Sequence, residues 1–396
     1  MTILYLSYWG LNDPLTVSTV YPHLEILDTL ESIEKIVFVT IERSEAVPSG
    51  HPFNCQKVVH YALHSKNYRH NIFNKTADFF HFPIKLQSIL DQYRVSYIFT
   101  RGVMAGALAY SICRRNKLKL CVESFEPHAD YMRETGEWPH WGLRYRFQKY
   151  WEKKQMQYAS ILMPVSENYK LELIRQGISP NKIFTIPCCV PVEVFSYSET
   201  QRSAIRKELS IADDSIVGIY TGKFGGIYYD EEAFWVFKQA FAFFKDRFRL
   251  IILSPHPRTL ILASLHSLGM DTDKIVTGFV AHDKIPAYLS ASDMAFTLTK
   301  PNPYAKFSSH IKIGEYWANG LPVVCPPDCG DDSNIIITKN AGAVFELTEE
   351  SLASGFAKIS VILKDQSHRN EISRLAYQYR SFERTRGVYS KIFTTK

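Results

Sequence analysis

The feature that most constrains the fold is an alternation of short apolar segments with amphipathic ones, which runs through nearly the whole sequence. The apolar segments have the length of buried strands and lie at 3–8, 35–40, 97–100, 119–123, 161–165, 215–221, 248–253, 275–277, 294–298, 322–325 and 343–345. The amphipathic segments have helical spacing and lie at 19–31, 84–93, 106–114, 141–158, 167–175, 231–245, 260–268, 285–291 and 311–317. This order is typical of parallel sheets with helices on both faces, so we predict a doubly wound α/β protein.

The chain is long enough, at 396 residues, for two domains with separate cores. A boundary is predicted at about 181–195, where a short apolar strand is followed by an extended segment with two prolines. We therefore predict a first domain at 1–185 and a second domain at 186–372. A long basic and aromatic helix follows at 373–396.

The composition is that of a folded globular protein, with 46% hydrophobic and 22% charged residues. A net charge of +6 suits anionic phosphates or an acidic membrane surface but is too weak to indicate a nucleic-acid partner. The seven cysteines have no zinc-binding spacing and favour a reducing cytosol over a disulfide framework. The first residues predict a strand and not a secretion signal, and no apolar run reaches the ~18 residues of a membrane span. We expect a cytoplasmic protein, at most peripheral at the inner face of the membrane.

The most informative segment is 307–324, with the sequence FSSHIKIGEYWANGLPVV. It predicts a helix that is capped by Ser308 or Ser309, that ends just before Gly320, and that leads directly into a strand. The capped helix start would present free N–H groups and a positive dipole. Both features suit a bound diphosphate.

Three chemically distinct side chains share one stripe of this helix, since Ser309, Lys312 and Glu315 recur every three residues. The ammonium suits a phosphate, and the carboxylate one turn further along suits a pair of sugar hydroxyls. Gly314 and Ala318 lie on another face and predict close packing on a sheet. The alternative is an ordinary surface helix on which Lys312 and Glu315 form a solvated ion pair.

The order serine, lysine, glutamate and Gly-Leu-Pro-Val-Val resembles the nucleotide-sugar-binding helix of retaining enzymes in glycosyltransferase family 4. The resemblance implies the GT-B architecture, in which two Rossmann-like domains face each other across a cleft and a C-terminal helix crosses back to the first domain. It implies that Ser309 and Lys312 bind the donor diphosphate, with Ser308 beside them. Glu315 would bind the nucleotide ribose.

The sequence TGKFGG follows the first predicted strand of the second domain. Gly222 and Gly225 permit close approach of the backbone to a phosphate, although a tight strand-to-helix connection would also explain them. The pattern is neither G-x-G-x-x-G nor a P-loop, so dinucleotide or ATP binding is not indicated. The family has an arginine at the position of Lys223 and a lysine in the region that Tyr228 occupies. The resemblance therefore assigns Lys223 to the diphosphate and leaves Lys312 to replace the second basic contact.

The chain departs from the family at a second position. Family members commonly have two glutamates with seven residues between them, and the upstream one lies near the donor sugar. Phe307 occupies that upstream position here, counted back from Glu315, so the residues that contact the sugar are left open. Asn302, Tyr304 and Lys306 in the preceding polar loop are candidates, but such loops are often simply exposed.

In the first domain, the sequence SFEPHAD follows a predicted strand, and ligands bind near such strand ends in doubly wound sheets. The family has a histidine at this point that faces the donor sugar. His128 is the best match, with Glu126 and Asp130 beside it. A structural alternative is that His128 caps the following helix or lies on the surface.

Three further residues are expected on the acceptor side of the first domain. Gly10 and Asn12 lie in the loop after the first predicted strand, where the glycine would allow close approach of an acceptor. Arg101 directly follows the strand predicted at 97–100 and adds a basic group at the same end of the sheet.

Asp271 and Asp273 match the D-x-D pattern of metal-dependent glycosyltransferases. They lie in a loop between a helix and a strand, far along the sequence from the phosphate-binding helix. We therefore reject this interpretation and expect neither a bound metal nor another cofactor.

A basic and aromatic segment at 138–154, together with a second basic cluster at 114–119, has two interpretations. It is either the solvated face of a helix whose other side lies in the core, or a foothold on an anionic membrane surface.

These patterns predict an enzyme that transfers a sugar from a nucleotide diphosphate sugar to a saccharide or lipid-linked saccharide acceptor. Retention of configuration is implied by the resemblance alone. Lys223, Lys312 and the helix start would stabilise the departing diphosphate electrostatically, and His128 would act at the sugar. Two alternatives are a nonhydrolysing nucleotide-sugar epimerase of the same architecture and a catalytically silent nucleotide-sugar-binding protein. A donor that binds but is neither hydrolysed nor transferred would favour the silent protein.

Overall fold

A computed structural model describes residues 1–43, 55–65 and 71–394. Contacts divide the chain into two compact units. The first unit comprises Met1–Asp130, Pro139–Cys189 and Phe382–Lys396, and the second comprises Tyr131–Trp138 and Val190–Ser381. The long segment of the second unit therefore begins at Val190, and the chain returns to the first unit at Phe382. The sequence predicted these two boundaries at 186 and 373.

The described part of the first unit contains six parallel strands, of which five confirm predicted segments. They are β1 Thr2–Leu6, β2 Lys35–Glu42, β3 Val58–His64, β4 Val95–Arg101, β5 Lys119–Phe125 and β6 Ile161–Pro164. Their order in the sheet is β3-β2-β1-β4-β5-β6. The sequence did not predict β3. It lies at the edge of the sheet and most of its side chains are only half-buried, so its apolar character is weak.

The second unit contains a sheet of the same kind, and its six strands confirm all the predicted segments. They are β7 Ile216–Thr221, β8 Phe248–Leu253, β9 Ile275–Gly278, β10 Met294–Phe296, β11 Val323–Cys325 and β12 Gly342–Val344. The order within these described residues is β12-β11-β10-β7-β8-β9, and every pairing is parallel. Both sheets thus have the 3-2-1-4-5-6 order of doubly wound folds, which gather loops for ligand binding at the carboxyl ends of the strands.

Helices alternate with the strands and cover the sheets. They are α1 Pro14–Thr19, α2 Tyr21–Asp28, α3 Asn71–Leu90, α4 Gly102–Asn116, α5 His128–Glu134, α6 Leu143–Tyr158, α7 Glu167–Arg175, α8 Glu199–Glu208, α9 Glu231–Phe244, α10 Arg258–Ser267, α11 Ile285–Ala291, α12 Ile311–Ala318, α13 Asp332–Thr338, α14 Glu349–Ile362, α15 His368–Arg380 and α16 Phe382–Thr394. The helix predicted at 19–31 corresponds to α2, and the short helix α1 before it was not predicted. Pro22 at the start of α2 has no backbone N–H with which to continue α1, so the two helices are separate. In the described chain, no helix has both the length and the apolar character needed to cross a membrane.

The predicted C-terminal helix is two helices, α15 and α16. Ser381 interrupts it with an extended backbone, at φ −73° and ψ 156°. Before this break, α15 packs on α12 in the second unit, and after it α16 packs on α2 in the first. Val190, where the chain first enters the long segment of the second unit, lies beside this break. Its N–H donates to the carbonyl of Arg380 at 2.8 Å.

Candidate active site

The carboxyl end of β7 is fixed to α12 by one tyrosine. The hydroxyl of Tyr316 lies 3.1 Å from the backbone nitrogen of Thr221 and 2.7 Å from its Oγ1. Since Thr221 ends β7, this contact holds α12 next to the glycine-rich loop. Gly314 lies on another face of α12 and packs closely against Val190 and Arg380, since a β-carbon there would lie 3.1 and 3.2 Å from them. Ala318, predicted to share this face, is buried in the core of the second unit, and α12 contacts β11.

The start of α12 differs from the prediction. His310 occupies the N-cap position, and no described side chain caps the helix. The hydroxyl of Ser308 donates to the carbonyl of Ala305 at 2.6 Å, and Ser309 Oγ accepts a hydrogen bond from the guanidinium of Arg380. The predicted capping by Ser308 or Ser309 is therefore wrong, because both hydroxyls have other partners.

Arg380 holds Ser309 in position through a buried ion pair. Its guanidinium contacts the carboxylate of Asp332, and both side chains are almost completely buried. Burial raises the pKa of Asp332 to about 6, although the charge of Arg380 opposes this shift. The hydroxyl at the start of α12 is thus fixed by a residue that belongs to α15.

Lys312 has a position that internal contacts do not explain. Its Nζ is buried and has no hydrogen-bond partner among the described residues. It lies 4.9 Å from the ring centre of Tyr220 and 4.5 Å from that of Tyr228. Burial lowers the pKa of Lys312 to about 8, against the charges of Cys329 and Glu315. Two aromatic rings offset the cost of a buried ammonium only in part, so this arrangement favours an anionic ligand.

The backbone of the glycine-rich loop closely approaches this ammonium. Gly222 has a φ of 138°, and a β-carbon there would lie 2.6 Å from the Nζ of Lys312. Gly225 has a φ of 76°, and its N–H donates to the carbonyl of Tyr229 at 3.1 Å, which keeps the loop compact. Lys223 is exposed on the same loop. The φ of 138° strains any residue with a β-carbon, and such a residue would also push the ammonium of Lys312 away from the loop, so glycine suits this position best.

Glu315 lies one turn further along α12 and is buried. It accepts a hydrogen bond of 2.9 Å from Nε2 of His282, which precedes α11. This bond raises the pKa of His282 above its ordinary value, and the nearby Asp283 adds to the effect. The alternative of a solvated pair between Lys312 and Glu315 is wrong, because the ammonium is buried against aromatic rings.

The loop before α12 contains the predicted sugar-contacting residues. Asn302 Oδ1 accepts a hydrogen bond of 2.9 Å from the N–H of Tyr304, which stabilises a local turn. Phe307 is buried, and its ring centre lies 6.3 Å from that of Tyr304. Lys306 is exposed, with its Nζ 5.4 Å from the centre of the Phe307 ring. The position of the family's upstream glutamate is thus filled by a core side chain, and the roles of Asn302 and Tyr304 stay predictions.

In the first unit, His128 begins α5 just after β5. Its Nδ1 lies 3.4 Å from Oε1 of Glu126, and their side chains are 40% and 35% exposed. Burial alone would lower the pKa of His128, but Glu126 and Glu152 together raise it above its ordinary value. Glu152 is buried, which raises its own pKa to about 7, and it accepts a hydrogen bond of 2.8 Å from the N–H of Ala129. His128 is thus an accessible acid–base group whose position is supported by carboxylates.

Arg101 was predicted to lie on the acceptor side but is buried in the core of the first unit. Its guanidinium lies 3.0 Å from Oε1 of Glu123, and Nδ1 of His23 lies 2.7 Å from the same oxygen. Burial would raise the pKa of Glu123, but these two positive groups lower it to about 2. Tyr389 of α16 joins the network at 2.8 Å from His23. Arg101 therefore neutralises a buried carboxylate, which argues against its predicted contact with the acceptor.

The presence of glycine at position 10 is explained by a contact that the sequence did not reveal. A β-carbon at this position would lie 2.3 Å from Oε2 of Glu42. The buried Glu42 accepts a hydrogen bond of 2.8 Å from the N–H of Leu11 and holds the loop in place. Asn12 is exposed in the same loop, and its role stays a prediction.

Asp271 and Asp273 form a local turn. The carboxylate of Asp271 accepts a hydrogen bond of 3.1 Å from the N–H of Asp273 at the start of the short helix Thr272–Lys274. Lys274 lies 3.8 Å from the same carboxylate. These contacts give Asp271 a capping role.

Two family models match the chain, one in each half. The model described as Glycosyltransferase Family 4 matches residues 40–194, and the model described as Glycosyl transferases group 1 matches residues 219–363. The chain is a family 4-like glycosyltransferase. Its fold is the predicted GT-B architecture with two Rossmann-like domains. No curated protein sequence matches the chain significantly.

Solved structures agree with this fold. Similar structures include sucrose-phosphate synthase from Thermosynechococcus elongatus, HepE from Anabaena in complex with UDP, and WaaG, a glycosyltransferase involved in lipopolysaccharide biosynthesis. Their TM-scores are 0.77, 0.72 and 0.68 at identities of 13%, 13% and 14%, and each comparison covers 100% of both chains. At such identities the likeness concerns the fold alone.

Several residues that shape the site of the glycosyltransferase were not predicted. Tyr220 is part of an apolar strand, so its sequence context indicates only core packing. His282 and Arg380 meet α12 from positions 33 and 71 residues away from their partners, and no local pattern indicates such contacts. Tyr228 could have been predicted from the sequence, because it occupies the region where the family has a basic residue.

Proposed function

We propose that this glycosyltransferase transfers a sugar from a nucleotide diphosphate sugar to a saccharide or lipid-linked saccharide acceptor. Retention of configuration is proposed from the family resemblance, and metal independence from the positive groups of the site. The donor class is supported by HepE, which has the same fold and has been solved with UDP and with UDP-glucose.

The observation that carries this proposal is the buried ammonium of Lys312. Its Nζ has no hydrogen-bond partner in the described chain and lies under the backbone of Gly222, where a β-carbon would be only 2.6 Å away. A diphosphate at this loop would provide the missing acceptor, and a charge-assisted hydrogen bond would offset the cost of burial. Catalysis then rests on stabilising the negative charge that develops on the departing diphosphate.

The remaining residues of the proposed site contact other parts of the donor. Ser309 and the exposed Lys223 bind diphosphate oxygens, while Gly222 and Gly225 allow the backbone to approach them. Glu315 accepts hydrogen bonds from the ribose hydroxyls. In the first unit, His128 and Glu126 act at the sugar step.

The donor site is tested by separating ribose from phosphate. Glu315→Gln is expected to weaken the binding of nucleoside diphosphates while leaving the affinity for inorganic pyrophosphate unchanged, since the amide is a poorer acceptor than the carboxylate. Calorimetric titration of ADP, GDP, UDP and pyrophosphate measures both affinities. Equal loss for nucleotide and pyrophosphate would exclude Glu315 from the ribose.

Transfer is expected to continue in EDTA. In this proposal Lys312, Lys223 and the start of α12 supply the positive charge that a divalent ion supplies in metal-dependent enzymes. Turnover is measured before and after chelation and again after addition of manganese or magnesium. Activity that disappears in EDTA and returns with the metal would contradict metal independence.

A lipid-linked acceptor is supported by the surface at the start of α6. Trp141 and Leu143 are 89% and 82% exposed, and the exposed Arg144 and Arg146 lie beside them. Apolar side chains flanked by basic ones suit an anionic membrane surface, where each basic residue contributes ~1 kcal/mol.

Vesicle sedimentation tests this surface. The protein is expected to bind phosphatidylcholine vesicles that contain phosphatidylglycerol, and Arg144→Ala combined with Arg146→Ala should weaken binding roughly 10- to 30-fold. Lys207→Ala combined with Lys364→Ala, which removes two exposed positive charges elsewhere on the protein, is the matched control. Equal binding by the double variant would remove the membrane from the proposal.

A further inference from the structure

In the part of the chain that the structure describes, the side chain of His282 contacts the carboxylate of Glu315. Its Nε2 lies 2.9 Å from Oε1 of Glu315, and the side chains of the two residues are 67% and 9% exposed. A carboxylate can only accept hydrogen bonds, so Nε2 carries the hydrogen and donates it. The buried carboxylate is thus reached from the solvent side by one accessible imidazole.

The imidazole of His282 is itself held in place. Its ring lies edge-on to the buried ring of Phe195, with centres 5.5 Å apart. The carbonyl of Phe195 accepts a hydrogen bond of 3.1 Å from Asn319, the C-cap residue of α12. The platform under His282 is therefore fixed to the same helix that carries Glu315, and donor and acceptor keep their relative position.

We propose that His282 is a positioning residue that orients the Glu315 carboxylate for the ribose hydroxyls of the donor. The inference rests on the proposed function, in which Glu315 binds the ribose. A hydrogen bond from His282 occupies one lone pair of Oε1 and fixes the rotation of the carboxylate, so the remaining lone pairs point in defined directions. Two vicinal ribose hydroxyls bind well only to a carboxylate whose orientation is fixed. A diphosphate bound at Lys312 does not depend on the orientation of this carboxylate.

The test compares each nucleoside diphosphate with its 2′,3′-dideoxy analogue. ADP, GDP and UDP are titrated calorimetrically with their analogues, and the ratio of the two dissociation constants reports the contribution of the ribose hydroxyls. His282→Ala is expected to reduce this ratio roughly 3- to 10-fold, the range for one ordered hydrogen bond. His282→Gln keeps an N–H donor at a similar reach and should restore most of the ratio.

A matched control separates positioning from a general effect on the loop. Lys284→Ala changes an exposed side chain on the same turn and should leave the ratio unchanged. An unchanged ratio in His282→Ala, or a loss that His282→Gln does not restore, would overturn the inference.

The failure of the inference can be distinguished from the failure of the proposed function. If Glu315→Gln lowers the ratio and His282→Ala does not, Glu315 binds the ribose without the help of His282. If the wild-type protein shows no ratio above one, or binds none of the three nucleotides, the proposed donor site fails and the inference fails with it.

Discussion

Replacing His128 by alanine is expected to slow sugar transfer by roughly 10²–10⁴-fold, the range for a positioned acid–base group, while nucleoside diphosphate affinity stays nearly unchanged. The residue lies in the first unit, whereas the proposed nucleotide contacts all belong to the second. Its imidazole is accessible and lies 3.4 Å from Glu126. Initial rates with saturating donor, together with calorimetric titration of the diphosphate, measure the two effects separately.

The pH profile adds a signature that a structural cap would not produce. Glu126 raises the pKa of His128. If the neutral imidazole is the active form, activity rises with pH through that raised value, and Glu126→Gln should shift the acid limb to lower pH. His140→Ala removes another exposed histidine of the first unit and is the matched control. Full activity in His128→Ala, or parallel loss of nucleotide binding, would show that His128 has a structural role.

Replacing Lys312 by methionine is expected to weaken the binding of nucleoside diphosphate and of pyrophosphate alike, by roughly 10- to 150-fold. Both ligands lose the same charge-assisted contact. The thermal stability of the free protein should stay the same or increase, because methionine preserves packing against Tyr220 and Tyr228 and removes a buried charge without a hydrogen-bond partner.

Ligand affinity and thermal stability together distinguish a ligand-binding role of Lys312 from a purely structural one. A structural ammonium would lower the midpoint of thermal unfolding when it is removed, and a ligand-binding ammonium would not. Unchanged affinity for both ligands would contradict the proposed diphosphate contact. Lys238→Met, on the surface of the same unit, is the control for the loss of a positive charge.

Much of the fold follows from local sequence patterns. Buried parallel strands such as β8 are continuous apolar segments, so Phe248–Leu253 could be bounded from its residues alone. The edge strand β3 lacks that signal because its side chains are mostly half-buried. The break at Ser381 was missed, because helical spacing continues on both sides of it.

The site was less predictable because its contacts are long-range. The positions of Lys312 and Glu315 on α12 follow from local spacing, but the burial of the ammonium depends on the rings of Tyr220 and Tyr228. Ser309 could not cap the helix as predicted, since Arg380 approaches it from α15. Arg101 has the local context of a ligand contact. Its actual partner Glu123 lies on the neighbouring strand, 22 residues along the chain.

The most direct test of the central claim is a crystal structure of the protein with a bound nucleoside diphosphate, chosen as the tightest of ADP, GDP and UDP. We predict phosphate oxygens within hydrogen-bond distance of Lys312 Nζ and of the backbone at Gly222, and ribose hydroxyls on the carboxylate of Glu315. A diphosphate bound elsewhere, with the ammonium of Lys312 still without a hydrogen-bond partner, would contradict the proposed donor site.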